Sequence, residues 1–172
     1  ISIMKIIPKV DAGPIMMQSK IKINSDTNFE NLYNKLSILS AGKILEALKL
    51  IENNEENFVP QSDKDATYAR KIEKSETKIN WNESAKIILA KIRAFYPIPG
   101  SWFDMEGSRI KVLKAVEVEI KGAPGEILSN ELVIACGNNA IKIIELKKEG
   151  KKKMAISEFL RGVKIKIGNK LN

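Results

Sequence analysis

The chain has 172 residues, of which 44% are hydrophobic, with one cysteine, no histidine and a formal net charge of +8. This length allows one full domain, or one domain and part of another, and no apolar run approaches the roughly 18 residues typical of a membrane span. The lack of histidine excludes any triad, metal site or general base built on an imidazole of this chain.

The positive charge is distributed unevenly along the chain. Residues 1–56 hold seven lysines and seven acidic residues, so the whole excess lies beyond Glu56. A one-sided basic excess is typical of proteins that bind a polyphosphate such as nucleic acid. The simpler alternative is a charge that keeps a lysine-rich protein in solution.

The first 56 residues predict the end of an α/β domain. Residues 1–7 and 15–23 have the apolar patterns of two strands, joined by a loop. Thr27, with Glu30 three residues later, is typical of a capping box and predicts the start of a long helix in which Gly42 marks a weak point. Two strands and one helix cannot close a core, so we expect the tail of a larger domain that was cut just before Ile1.

A polar segment over residues 57–78 predicts a linker, and residues 79–172 predict a second domain. This domain opens with a helix for which Asn82 is the candidate N-cap. The helix is predicted to end at Tyr96, because the residue before a proline is pushed out of the α region. Trp102 is expected at the start of the next element.

From Arg109 onward the pattern changes to short strands separated by turns rich in glycine and asparagine. The predicted strands cover residues 109–120, 126–128, 132–136, 140–146 and 163–167, with a basic loop over 147–153 and one helical turn over 157–161. Short strands at this spacing predict a small barrel. Cys136 lies in an apolar run, which predicts a buried thiol and fits a reducing compartment.

Residues 10–15 read VDAGPI, and this string resembles the catalytic-aspartate loop of the folate-dependent formyltransferases. Further strings, in the same order along the chain, resemble the methionyl-tRNA branch of that family. They are TYARKI at 67–72, INW at 79–81, IRAFYPIPGSW at 92–102, APGEI at 123–127, GKKKM at 150–154 and FLRG at 159–162. The resemblance spans nearly the whole chain and is specific as an ordered set.

The resemblance implies an α/β fragment, the end of a Rossmann-like formyltransferase domain over residues 1–56, followed by a mostly-β, OB-like barrel domain over residues 79–172. It implies transfer of a formyl group from 10-formyltetrahydrofolate to the amine of methionyl initiator tRNA, in the cytoplasm, by a monomer without a metal. In the family, an Asn and a His from an earlier strand hold the developing oxyanion. Neither has a counterpart here, so we expect this chain alone to be inactive.

Asp11 matches the family's catalytic aspartate, which helps to move the proton of the attacking amine. On local grounds alone, an aspartate in a Gly-Pro loop is a turn former. Seven basic residues are candidate tRNA contacts: Arg93, Lys147, Lys148, Lys151, Lys152, Lys153 and Arg161. Arg93 fits a helix cap equally well, and the lysines fit a solvated hairpin tip. Trp81 and Trp102 fit the core as well as base stacking.

Two other functions stay open at this point. A sister formyltransferase acting on a nucleotide-linked amino sugar shares the aspartate loop, but it has less need of a basic barrel. A free-standing basic RNA-binding module explains the charge, but it has no use for residues 1–56.

Overall fold

The computed structural model describes residues 1–171, including every side chain except that of Asp65. The chain forms two compact units, Ile1–Lys71 and Ile72–Asn172. The last residue of the predicted 79–172 domain lies outside the described residues. Among the residues that the structure describes, no helix combines the length and apolar character needed to cross a membrane. Sheets and helices are both present, so the fold is a small α/β structure.

The first unit contains a two-stranded antiparallel sheet. Strand β1 (Ser2–Met4) pairs with strand β2 (Ile15–Gln18). Both strands are shorter than the predicted 1–7 and 15–23, because pairing stops early at each end. Lys5 donates its amide hydrogen to Pro14 O (3.0 Å), which closes the loop, and the last bond beyond β2 runs from Ser19 N to Ile1 O (3.0 Å).

Helix α1 (Phe29–Glu52) follows the small sheet. The predicted cap is wrong by one residue, because Asn28 accepts the hydrogen bond from Asn31 N (2.9 Å) while Thr27 Oγ1 accepts one from Asn24 N (3.0 Å). The predicted weak point at Gly42 does not interrupt the helix. A glycine costs a helix only about 1 kcal/mol relative to alanine, which is too little to break 24 continuous residues.

Large apolar side chains along α1 are exposed in the described chain. Ala47 is the buried residue of this helix. The exposed ones are Phe29, Tyr33, Ile38, Ile44, Leu45, Leu48 and Ile51. An exposed apolar face of this extent is typical of a surface that another segment or protein covers.

The second unit is built on a five-stranded antiparallel sheet. Its elements are α2 (Ala85–Phe95), β3 (Ser101–Met105), β4 (Ser108–Val118), β5 (Val133–Ala135), β6 (Ala140–Lys148), β7 (Lys153–Ala155) and α3 (Ile156–Leu160). The strand order is β3-β4-β6-β5, and β7 also pairs with β6. Within the described residues the strands form an open sheet rather than a closed barrel.

Two predicted strands of this unit are absent from the sheet. Residues 163–167 are irregular: Val163 and Ile165 pack on the core, and the lysines that alternate with them are exposed. The alternation of apolar and charged residues here therefore comes from an extended segment that lies on the core without pairing to a neighbouring strand. Residues 126–128 make only isolated bridges, one of them between Ile127 and Ile134. The predicted basic loop is instead the hairpin between β6 and β7, because β6 extends to Lys148.

Helix α2 ends as the sequence predicts but starts differently. Ser84, rather than Asn82, is the N-cap and accepts a hydrogen bond from Ile87 N (3.4 Å). Asn82 is engaged in a turn, where its amide donates to Asn80 Oδ1 (3.1 Å). The helix ends at Phe95, immediately before its C-cap Tyr96.

The core of the second unit lies between α2 and the sheet. It contains Ile88, Leu89 and Ile92 from the helix and Phe103, Ile110, Val112, Ile134, Ile141, Ile143 and Leu146 from the strands. Trp81 belongs to it, with its ring edge-on to Phe103 at 5.6 Å between centroids. Cys136 is a free thiol only 3% exposed, as predicted, and burial raises its pKa from the usual 9.0 to about 11.

Adjacent isoleucines on α2 provide a matched test of this core. Ile88 is 1% exposed and Ile87 is 49% exposed. We expect Ile88→Ala to lower the free energy of unfolding of the second unit by about 2–5 kcal/mol, because it removes buried methylene groups and leaves a cavity. Ile87→Ala should cost far less. Urea unfolding followed by tryptophan fluorescence measures both, since both tryptophans lie in this unit. Equal losses would contradict the orientation of α2.

Candidate functional site

The loop between β1 and β2 carries Asp11, which is exposed. Its φ of +53° is in the left-handed region, which aspartate tolerates better than most residues. The loop also packs closely on itself at Gly13, where an added Cβ would lie 1.7 Å from Lys5 O. A glycine is therefore required at this position, and it keeps the backbone beside Asp11 in one tight arrangement.

A segment distant in sequence lies against this loop. Val59 and Ile15 exchange two backbone hydrogen bonds of 2.8 Å each. Two residues further on, Gln61 Nε2 donates to Asp11 O (3.0 Å) and Gly13 O (2.6 Å). Gln61 is not among the site residues predicted from the sequence. The only local signal was a short apolar-proline step inside a polar segment, which does not indicate its partner.

The structure places the basic candidates of the second unit in different surroundings. Arg93 is half-buried in the last turn of α2, where a cation interacts favourably with the helix dipole. Arg161 is exposed and is the C-cap of α3. Lys151 and Lys152 are exposed in the turn between β6 and β7. Lys148 lies opposite the core residue Ile110, so it is on the core side of the sheet.

Two of the candidates, Lys147 and Lys153, belong to a row that crosses the sheet. Trp102 on β3 lies opposite Lys111 on β4, Lys111 lies opposite Lys147 on β6, and Lys147 lies opposite Lys153 on β7. Directly opposed residues share one face of a sheet. Neighbouring strands are about 4.8 Å apart, so this basic row, Trp102-Lys111-Lys147-Lys153, extends over about 14 Å.

The tryptophan end of the basic row holds two further cations. The guanidinium of Arg109 lies 3.9 Å from the centroid of the Trp102 ring, and Lys78 Nζ lies 5.6 Å from it. The indole Nε1 donates to Thr77 Oγ1 (3.0 Å), which fixes the ring. Lys78 also approaches Asp104 Oδ2 at 3.8 Å. The stacked ring thus holds a guanidinium beside the row.

Electrostatics make the basic row suitable for an anion. Like charges directly opposite each other destabilise an antiparallel sheet. In the part of the chain that the structure describes, Lys111, Lys147 and Lys153 form no salt bridge, whereas Lys142 on the same strand β6 pairs with Glu131. A polyanion lying along the row would relieve this repulsion through charge-assisted contacts.

Arg109 and Lys111 are not among the residues predicted from the sequence, although the sequence carries a signal for them. Both alternate with the core residues Ile110 and Val112 along β4, and a period of two places them on the opposite face. They lie within strand β4 rather than in the basic loop over 147–153, where most of the sequence-based candidates are. Residues 1–171 contain no group of three or more acidic or cysteine side chains placed to hold a metal ion, as far as their side chains are described.

A family model described as "Formyl transferase, C-terminal domain" matches residues 71–164. The chain is 45% identical to methionyl-tRNA formyltransferase of Pelagibacter ubique over 99% of its own length and 56% of that protein. It is 36% identical to the enzyme of the same name from Bradyrhizobium diazoefficiens, with the same coverage of 99% and 56%. The chain therefore spans about half the length of the curated relatives it matches.

Solved structures with a similar fold have lower sequence identity. HypX from Aquifex aeolicus in complex with tetrahydrofolic acid superposes with a TM-score of 0.70 at 21% identity, covering 98% of this chain and 33% of that one. The sugar 3N-formyl transferase WlaRD, in the presence of dTDP and 5-N-formyl-THF, has a TM-score of 0.61 at 20% identity, covering 88% and 55%. At these identities the likeness shows the fold alone.

Proposed function

The chain belongs to the family of formyl transferases with this C-terminal domain, and we propose that it is part of a methionyl-tRNA formyltransferase. The complete enzyme transfers a formyl group from 10-formyltetrahydrofolate to the amine of methionyl initiator tRNA, in the cytoplasm, as a step of translation initiation. Curated relatives of that name, at up to 45% identity, support the reaction.

The observation that carries the choice of tRNA as acceptor is the basic row. A tRNA presents a long phosphate backbone, and lysines at regular spacing can contact successive phosphates. A nucleotide-linked sugar presents only a short phosphate group, so it gives no reason for unpaired lysines on three adjacent strands. Sequence-independent phosphate contacts position an RNA, while the reacting end is recognised elsewhere.

In this reaction, Asp11 acts as the general base that accepts a proton. The amine nitrogen of methionine attacks the formyl carbon, the bond from that carbon to the folate nitrogen breaks, and the amine loses a proton that ends on tetrahydrofolate. A carboxylate near the attacking amine can accept the proton in the transition state. The tight packing at Gly13 and the bonds from Gln61 support this role, because general-base catalysis needs a fixed position.

We assign the two parts of the chain accordingly. Residues 1–56 are the end of a Rossmann-like catalytic domain, and residues 79–172 are the OB-like, tRNA-binding domain. Residues 57–78 are the linker, of which the first part, 59–63, packs on the Asp11 loop. The apolar face of α1 supports the first assignment. In a complete α/β domain, a helix buries such a face against the sheet. The candidates Arg93, Lys148, Lys151, Lys152 and Arg161 stay proposed tRNA contacts beside the row.

An assay with competing acceptors tests the proposal. The complete protein that contains this chain is incubated with 10-formyltetrahydrofolate and either methionyl initiator tRNA or a dTDP-linked amino sugar. We expect formyl-methionyl-tRNA to form and the sugar to remain unmodified. Formylation of the sugar with no product on the tRNA would assign the chain to the sister enzymes instead.

A further inference from the structure

Residues 59–63 form a strap across the Asp11 loop, fixed at three successive alternate positions. Val59 pairs with Ile15 through backbone hydrogen bonds, Gln61 binds the loop itself, and Asp63 Oδ2 accepts from Lys9 Nζ at 2.6 Å. The sequence pattern predicts these residues as part of a linker.

The central contact of the strap is made by one nitrogen. An amide NH₂ group has two hydrogens, so Gln61 Nε2 can donate to Asp11 O and Gly13 O at the same time. The same nitrogen lies 3.6 Å from Met4 Sδ at the end of β1. The acceptors are the carbonyl oxygen of the residue with the left-handed φ and that of the residue two positions later, so the bonds tie the turned backbone of Asp11 to a second segment.

We propose that Gln61 is a positioning residue, which holds the Asp11 loop in the geometry that proton transfer requires. This proposal rests on the proposed function, in which Asp11 accepts the proton of the attacking amine. Gln61 acts through the backbone of the loop and does not touch the substrate. Its removal lets the loop move, and a displacement of about 1 Å at a reacting group can lower a rate by roughly 10²-fold.

A purely structural strap would have a different signature. It would contribute to the stability of the first unit, and its loss would be seen as a lower melting temperature rather than as a slower chemical step. A positioning residue lowers kcat, leaves the KM values for tRNA and folate unchanged, and has no effect once the group that it positions is gone.

The test uses Gln61→Met in the complete enzyme, because methionine keeps the length of the side chain and removes both donors. Gln18→Met is the matched control, since Gln18 Nε2 makes one exposed bond to Ser2 Oγ (3.1 Å) in the same sheet. We expect Gln61→Met to lower the single-turnover rate of formyl transfer by about 10–100-fold, and the control to leave this rate unchanged. In an Asp11→Asn background, Gln61→Met should cause no further loss.

A second measurement does not depend on activity. Hydrogen exchange of the backbone amides of residues 10–13 should be faster in Gln61→Met than in Gln18→Met. Unchanged exchange and unchanged kcat would overturn the proposal, and so would an additive loss in the Asp11→Asn background. Failure of the proposed function is a distinct result: Asp11→Asn would then retain full kcat while the exchange difference persists.

Discussion

Asp11→Asn in the complete enzyme is expected to lower the rate of formyl transfer by at least about 10²-fold, a typical loss for a missing general base. Asparagine has nearly the same size and keeps most of the hydrogen bonds that the side chain can accept. It cannot take up a proton from the attacking amine. Because Asp11 is exposed and its loop is held by backbone contacts, the fold and the affinity for tRNA should be retained.

Single-turnover formylation and thermal melting on the same sample measure this prediction. Asp26→Asn is the matched control, because Asp26 is another exposed aspartate in a turn of the first unit. A rate that survives Asp11→Asn would make Asp11 a turn residue. A rate and a melting temperature that fall together would lead to the same conclusion.

The second large effect concerns the basic row. Replacing Lys111, Lys147 and Lys153 together with alanine is expected to weaken tRNA binding at low salt and to make it less dependent on salt. Each lost phosphate contact removes about 0.7–0.9 from the slope of log affinity against log salt concentration, so the slope should fall by about 2–3. Filter binding or fluorescence titration at several salt concentrations measures it.

The matched control replaces Lys148, Lys151 and Lys152 with alanine. These residues carry the same charge and lie on the hairpin that holds Lys147 and Lys153, but none of them is in the basic row. We expect a smaller change in slope than for the row. Equal changes for the two triple variants would mean that the general charge of the domain attracts the tRNA, without a preferred track across the sheet.

The sequence predicted features that depend on neighbours along the chain. The end of α2 at Phe95 and the start of β3 near Trp102 follow from the prolines between them, and the burial of Cys136 follows from its apolar run. The resemblance identified the family from the order of its strings. Helix starts were less accurate: a capping pattern at Thr27 competes with an equally good cap at Asn28.

Features that depend on distant contacts could not be predicted in this way. Gln61 reaches Asp11 across fifty positions, and nothing near Gln61 in sequence indicates that partner. The basic row is set by the register of four strands, and a shift of one residue in any pair would move its lysine to the core face. The predicted strand at 163–167 failed for the same reason, since alternation alone does not supply a neighbouring strand.

The buried thiol of Cys136 can serve as a chemical probe for opening of the second unit. It is the only cysteine of the chain, so an alkylating reagent can label this unit and not the first. Because burial raises its pKa to about 11, above the usual 9.0, the folded state favours the protonated, unreactive thiol. The folded state is therefore fully stable with respect to this group below pH 9.0, and its stability falls as the pH rises from 9.0 towards 11, because the thiol then ionises more easily in the unfolded chain. At neutral pH, the labelling rate therefore measures how often the core around α2 opens, with or without tRNA bound.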